Sequence, residues 1–137
     1  MSNRQSYRAS PSAYVALCGP WLVLAALWAY ASLKTGRLQL AAILICLLPA
    51  LLFAFWLHGF ALELHTDSFL YRSRFGKVHA ALYRDIAEMS VSEVAPVTGN
   101  PLRGRLRLSS GATFTINWKV LPRAALGALS QRIRAAV

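Results

Sequence analysis

Residues 38–62 read LQLAAILICLLPALLFAFWLHGFAL, 25 positions without one charged side chain. About 20 apolar residues suffice to cross a bilayer as a helix. A second uncharged run of 25, residues 9–33, ASPSAYVALCGPWLVLAALWAYASL, stands just before it. Only Lys34-Thr35-Gly36-Arg37 separates the two, which leaves room for little but a tight helical hairpin. The pair predicts transmembrane helices over about 12–33 and 38–60, with residues 1–11 as a flexible cytoplasmic tail and 61–137 as one small domain. Tyr14 and Tyr30 lie near the ends of the first span, where amphipathic rings prefer the interface. Pro20 and Pro49 fall inside the spans, as membrane helices tolerate.

The rest of the composition agrees. Of 137 residues, 56% are hydrophobic, which fits a membrane protein with a modest soluble part. The 77 residues from Ala61 onward can build only a small core. Charge sets the expected topology. Arg4 and Arg8 before the first span nearly balance Lys34 and Arg37 in the linker. Arg72, Arg74, Lys77 and Arg84 follow soon after the second, so the positive-inside rule puts both termini in the cytoplasm. Ala29-Tyr30-Ala31 resembles a signal-peptidase site, but the apolar run before it is long, holds Pro20, Trp21 and Trp28, and leads into a second span. No cleavage is expected. Cys18 and Cys46 differ in depth by about 10 Å at 1.5 Å per residue, beyond the roughly 7 Å that a disulfide allows. Both read as buried apolar residues.

From Ala61 the hydrophobic period falls to two. Leu62, Leu64 and Thr66 alternate with Glu63 and His65, and Thr66-Asp67-Ser68 turns the chain. Phe69–Phe75, Lys77–Tyr83 and Ile86–Val94 read as further strands, and Ala95–Pro101 as the longest loop. Leu102, Gly104, Leu106 and Leu108 alternate with Arg103, Arg105 and Arg107. Beyond Ser109-Ser110-Gly111, Phe114, Ile116 and Trp118 alternate with Thr113, Thr115 and Asn117. That is a β-hairpin with one buried and one wet face. A helix over about 122–136 closes the chain, with Pro122 in its first turn. Leu126, Leu129, Ile133 and Ala136 form its apolar stripe, and Arg123, Arg132 and Arg134 face outward.

A two-span hairpin, several short strands and one C-terminal amphipathic helix resemble small bacterial membrane proteins with a pleckstrin-homology-like (PH-like) domain. The stretches that carry the likeness are Leu62-Glu-Leu-His-Thr-Asp-Ser-Phe-Leu70, Tyr83-Arg-Asp-Ile86 and the Arg105-to-Trp118 hairpin with its helix. The resemblance implies a small α+β domain, a bent antiparallel sheet closed by the C-terminal helix, on a bacterial inner (cytoplasmic) membrane, without enzymatic activity. Phosphoinositide-binding members carry basic residues around a roomy loop between their first two strands. The corresponding turn here reads as Thr66-Asp67-Ser68, short and acidic.

Two basic groups are candidates for binding lipid or a partner. Arg72, Arg74 and Lys77 follow the anchor most closely. Arg103, Arg105 and Arg107 share one face of a strand, where they can meet lipid phosphates or an acidic partner, or form a solvated outer face. Nucleic acid is not expected: residues 61–137 hold 11 basic and 5 acidic side chains, a net of +6, without a helix-turn-helix or RNP-like motif. His58, His65 and His79 match no metal spacing, so no metal or cofactor is expected. Glu63, Asp67, Asp85, Glu88 and Glu93 are scattered, and neither G-x-S-x-G nor a P-loop occurs. The leading expectation is a non-enzymatic membrane-anchored module that binds a protein partner or the anionic membrane surface. The alternative is an accessory subunit of a larger inner-membrane complex.

Overall fold

The computed structural model describes residues 4–73 and 76–136. The chain forms two compact units, Pro11–His58 and a second made of Gly59–Val137 with the residues before Pro11. The first is the helical hairpin: α1 (Pro11–Thr35) and α2 (Leu40–His58). At 1.5 Å per residue they run about 37 Å and 28 Å, against a hydrocarbon core of about 30 Å. Both are long and apolar enough to cross a membrane.

Small side chains let these helices approach. Cys18, Ala25 and Ser32 recur every seventh residue of α1 and are buried, as are Cys46 and Ala50 of α2. A seven-residue repeat keeps one seam facing its neighbour, and small residues on that seam favour close packing in lipid. Cys18 Sγ lies 3.4 Å from the Ala50 carbonyl oxygen. Ser32 Oγ donates to the Trp28 carbonyl at 2.9 Å and accepts from the Gln39 amide at 3.1 Å, closing the linker. The outward side chains are apolar and exposed, Leu33 by 83% and Phe55 by 78%. Water is a poor solvent for that face.

The second unit holds two antiparallel sheets and a helix. One sheet runs β1-β2-β3-β4, from β1 (Gln5–Arg8), β2 (Ala61–Leu64), β3 (Ser68–Arg72) and β4 (Val78–Leu82). A 3-10 turn, Tyr83–Asp85, leads into the other, β5-β6-β7, from β5 (Ile86–Val94), β6 (Pro101–Leu108) and β7 (Thr113–Asn117). Helix α3 (Arg123–Ala136) follows. The alternation read from sequence sets the inner faces: Leu62, Leu64, Phe69, Tyr71, Leu106 and Ile116 are each 0–1% exposed. Asn117 N–H donates to Tyr71 Oη at 3.1 Å, joining the two sheets. The buried stripe of α3 is Ala125 and Leu129, while Ala136, expected on that stripe, is exposed.

The main departure is at the N-terminus. Residues 1–11 were expected to be a tail, yet Gln5–Arg8 forms a strand whose Gln5, Ser6, Tyr7 and Arg8 pair with Leu64, Glu63, Leu62 and Ala61. The cause is an open edge. β2 emerges from α2 with one side unpaired, and its backbone donors and acceptors require partners. The helical hairpin returns the chain to where the N-terminal segment can supply them. The connection between the first two strands is therefore the hairpin itself, and Thr66-Asp67-Ser68 joins the second and third.

Candidate functional site

The β1–β4 register gathers basic residues at one end of the domain. Arg8 is the Cα partner of Ala61, Ala61 of Arg72, and Arg72 of Val78. Arg8 lies three residues before α1, and Ala61 three after α2. The row is thus the sheet end where the chain leaves for the helices and returns. Arg72 and Lys77 are both exposed there. A turn between them is closed by Ser73 N–H donating to the Lys77 carbonyl at 2.8 Å, with Gly76 at φ 75°. Arg74, the third member of that expected group, lies outside the described residues.

The other sheet joins the same end. Ser10 N–H donates to the Val120 carbonyl at 2.8 Å, and Lys119 N–H to the Leu102 carbonyl at 3.2 Å. Exposed Lys119 therefore stands with Arg8, Arg72 and Lys77. Acids sit elsewhere. Asp67 follows β2, Asp85 ends the 3-10 turn, and Glu88 pairs with Arg107 near the far end of β6. Glu93 has its Oε2 3.2 Å from Arg103 Nε, and Glu63, in β2, has its Oε2 2.6 Å from Arg4. Among the described residues these four cations form no ion pair, whereas Asp85 lies 3.8 Å from Arg84 and Glu88 stands opposite Arg107.

The Arg103, Arg105 and Arg107 row is exposed along β6, the middle strand of its sheet. Neighbouring strands temper its charge. Arg107 stands opposite Glu88 and Thr113, Arg105 opposite Ser90 and Thr115, and Arg103 opposite Glu93 and Asn117. The three arginines share one exposed face, and their cross-strand neighbours are polar or acidic. Only Arg105 has uncharged partners on both sides. Two bulges in β5 bring the glutamates into register.

Toward the opposite end, a cleft of about 510 Å³ is lined by Thr66, Asp67, Tyr83, Arg84 and Arg132, among others. Its central cation is already engaged. Arg132 donates to the His65 carbonyl and reaches Gln5 Oε1 at 3.5 Å, while Tyr83 Oη donates to the same carbonyl at 3.0 Å. The cleft is a seam that seats α3. Burial pushes the Tyr83 phenol above its usual range, against the pull of Arg132. Burial also raises Tyr71, opposed by the hydrogen bond from Asn117.

The histidines are dispersed: His58 ends α2, His65 follows β2, and His79 stacks on Phe114 with ring centroids 5.1 Å apart. Among the described residues, no three His, Cys, Asp or Glu side chains gather as a metal site. Sequence reasoning missed Arg8 and Lys119. The signal for Arg8 was slight, a four-residue polar strand in which the partner of Arg8, Ala61, lies 53 positions on. No family model, curated protein or solved structure matches the chain.

Proposed function

We propose that this chain is a non-enzymatic, PH-like module anchored in the bacterial inner membrane by two spans, with both termini in the cytoplasm, and that it rests its basic end on anionic head groups. One observation carries the reading: Arg8, Arg72, Lys77 and Lys119 collect at the end where the chain meets the helices, and among the described residues none of the four is ion-paired with an acid. Each basic side chain close to an anionic surface contributes about 1 kcal/mol of attraction, fading within a Debye length of roughly 8–10 Å. Four such residues supply about 4 kcal/mol at low salt by that measure, enough to bias a tethered domain toward the surface. The PH-like reading is supported by the order of antiparallel strands followed by one terminal helix. In that reading, the connection between the first two strands, which carries the basic lipid site in phosphoinositide-binding members, is here the membrane anchor.

The test uses the full chain in nanodiscs, with Cys18→Ala and Cys46→Ala and an environment-sensitive fluorophore on Ser73→Cys. Emission should shift to the blue when phosphatidylglycerol is added to phosphatidylcholine. High salt, or serine at Arg8, Arg72, Lys77 and Lys119, should reverse it. Emission that ignores lipid charge and salt would count against the proposal.

A further inference from the structure

We infer that the tip of the β5–β6 hairpin, residues 94–101, is a wedge that dips into the lipid interface. The inference rests on the membrane-surface reading above and goes beyond it, since it assigns an apolar contact to a segment that carries no charge.

Three observations converge. The first is composition. Residues 94–102, Val-Ala-Pro-Val-Thr-Gly-Asn-Pro-Leu, are uncharged in a domain of net +6. Val94 is 54% exposed and Val97 is 94% exposed. A lone exposed valine needs no explanation, but here Val94, Pro96 and Val97 are exposed together at one protruding turn.

The second is position. Val94 is the Cα partner of Pro101 at the open end of β6. The adjacent Leu102 carbonyl accepts from Lys119, and Val120 accepts from Ser10, which immediately precedes α1. Two hydrogen-bonded steps thus separate the base of the tip from the residue where the chain enters the hairpin. β7 pairs with β6 only from Arg103 onward, so the tip runs past its own sheet. Arg8, Arg72, Lys77 and Lys119 share that end, which gives a cationic surround to an apolar point, the pairing that suits an anionic bilayer surface.

The third is polar satisfaction. A segment entering the interface must not strand backbone groups. Ala95 N–H donates to the Asn100 carbonyl at 2.8 Å, and Gly99 N–H donates to the Ala95 carbonyl at 2.9 Å. Asn100 Nδ2 donates to Thr98 Oγ1 at 2.8 Å. Pro96 and Pro101 carry no amide hydrogen. These bonds satisfy the Ala95 and Gly99 amides and the Ala95 and Asn100 carbonyls within the turn.

Nitroxide depth measurements on the full chain in vesicles test this, with Cys18→Ala and Cys46→Ala and single labels at Val97→Cys, Ser73→Cys or Ser110→Cys. Accessibility to a water-soluble nickel chelate is compared with accessibility to oxygen, in phosphatidylcholine with and without phosphatidylglycerol. Position 97 should be several-fold less open to nickel than position 110, which lies in the β6–β7 turn. A label at 97 as aqueous as that at 110 overturns the wedge. The wedge and the basic surface separate cleanly in this design. If position 73 responds to lipid charge while 97 stays aqueous, the wedge falls and the basic surface stands. If 97 lies at depth while 73 ignores lipid charge, the wedge stands and the basic surface falls. Val97→Asp, with the label moved to position 98, should bring the tip back into water, and a tip that remains at depth in this variant also overturns the wedge.

Discussion

Gly104 packs directly beneath the indole of Trp118, so closely that a methyl group on Gly104 would overlap the indole nitrogen. Gly104 is the Cα partner of Ile116. Trp118 stands two residues beyond Ile116 on the same inner face, and both are buried. The glycine in the alternating row Leu102-Gly104-Leu106 is therefore the floor of a tryptophan pocket. Gly104→Ala should cost about 1–3 kcal/mol, the usual penalty for overpacking a core. Trp118→Phe in the same chain should recover part of that loss, because the smaller ring vacates the space the methyl needs. Chemical unfolding of the four variants in detergent decides it. Full additivity of the two substitutions would show that the contact does not limit packing.

Leu106→Asp should unfold the domain, whereas Arg105→Ser should leave it folded. Leu106 is 0% exposed and its neighbour Arg105 is exposed, with Ser90 and Thr115 as its partners. An unpaired buried carboxylate costs several kcal/mol, a large share of the stability of so small a domain. Loss of near-ultraviolet circular dichroism in the aspartate variant alone is the expected result. Equal melting of both variants would place the strand in the opposite register.

How far the sequence revealed this architecture depended on how local each signal was. The absence of charge over 9–33 and 38–62 needs no partner to be read, nor does the strict alternation from Leu102 to Trp118. Both became the expected elements. The strand Gln5–Arg8 was hidden because its partner Ala61–Leu64 lies beyond the whole hairpin, and because an edge strand need not alternate. Its discovery moved Arg8 beside Arg72 and changed which residues make the basic surface. The neighbours of the arginine row were hidden for a related reason. Stacking along β6 was legible, but the placement of Glu88 and Glu93 opposite Arg107 and Arg103 depends on bulges in β5 that no spacing rule announces.

Removing residues 1–8 should weaken the β1–β4 sheet without unfolding α1 and α2. The deletion strips the partner from one side of Ala61–Leu64 and removes the 2.6 Å ion pair of Arg4 with Glu63. Arg4 in that pair is more than half exposed, so the pair contributes little, and most of the effect comes from the open edge. Hydrogen exchange at Ala61–Leu64 should accelerate markedly while exchange within the helices stays slow. Unaltered protection in β2 would mean that β1 is dispensable. A fragment limited to 61–137 suffers the same defect and is a poor surrogate for the domain.

Stability should fall at alkaline pH through Tyr71. Burial raises its phenol above the ordinary 10.0. A raised folded value means that the unfolded chain releases its proton first as pH climbs. The contribution is complete below about pH 10 and is lost as pH rises from there through the folded value. Tyr71→Phe should flatten that decline. At neutral pH it should cost about 0.5–1.5 kcal/mol, because the Asn117 amide loses its acceptor. Parallel pH profiles for the two proteins would assign the alkaline loss to other groups.

The last expectation concerns sidedness. Arg8 and Ala61 are Cα partners, so the strand that leads into α1 and the strand that follows α2 are held together in one sheet. A chain that crosses a bilayer between them must return to the side it left. Pairing therefore requires an even number of crossings, independently of any charge rule. Charge then chooses the side. Arg4 and Arg8 are offset by Lys34 and Arg37, and the 11 basic residues after Leu62 favour the cytoplasm. Alkaline phosphatase fused after Val137 should be inactive. A cysteine at Thr35, in a chain with Cys18→Ala and Cys46→Ala, should react with an impermeant thiol reagent once the outer membrane is permeabilised. An active phosphatase fusion together with an unreactive Thr35→Cys would invert the topology. Reactivity of neither position would remove the linker from the far side and, with it, the two-span reading of α1 and α2.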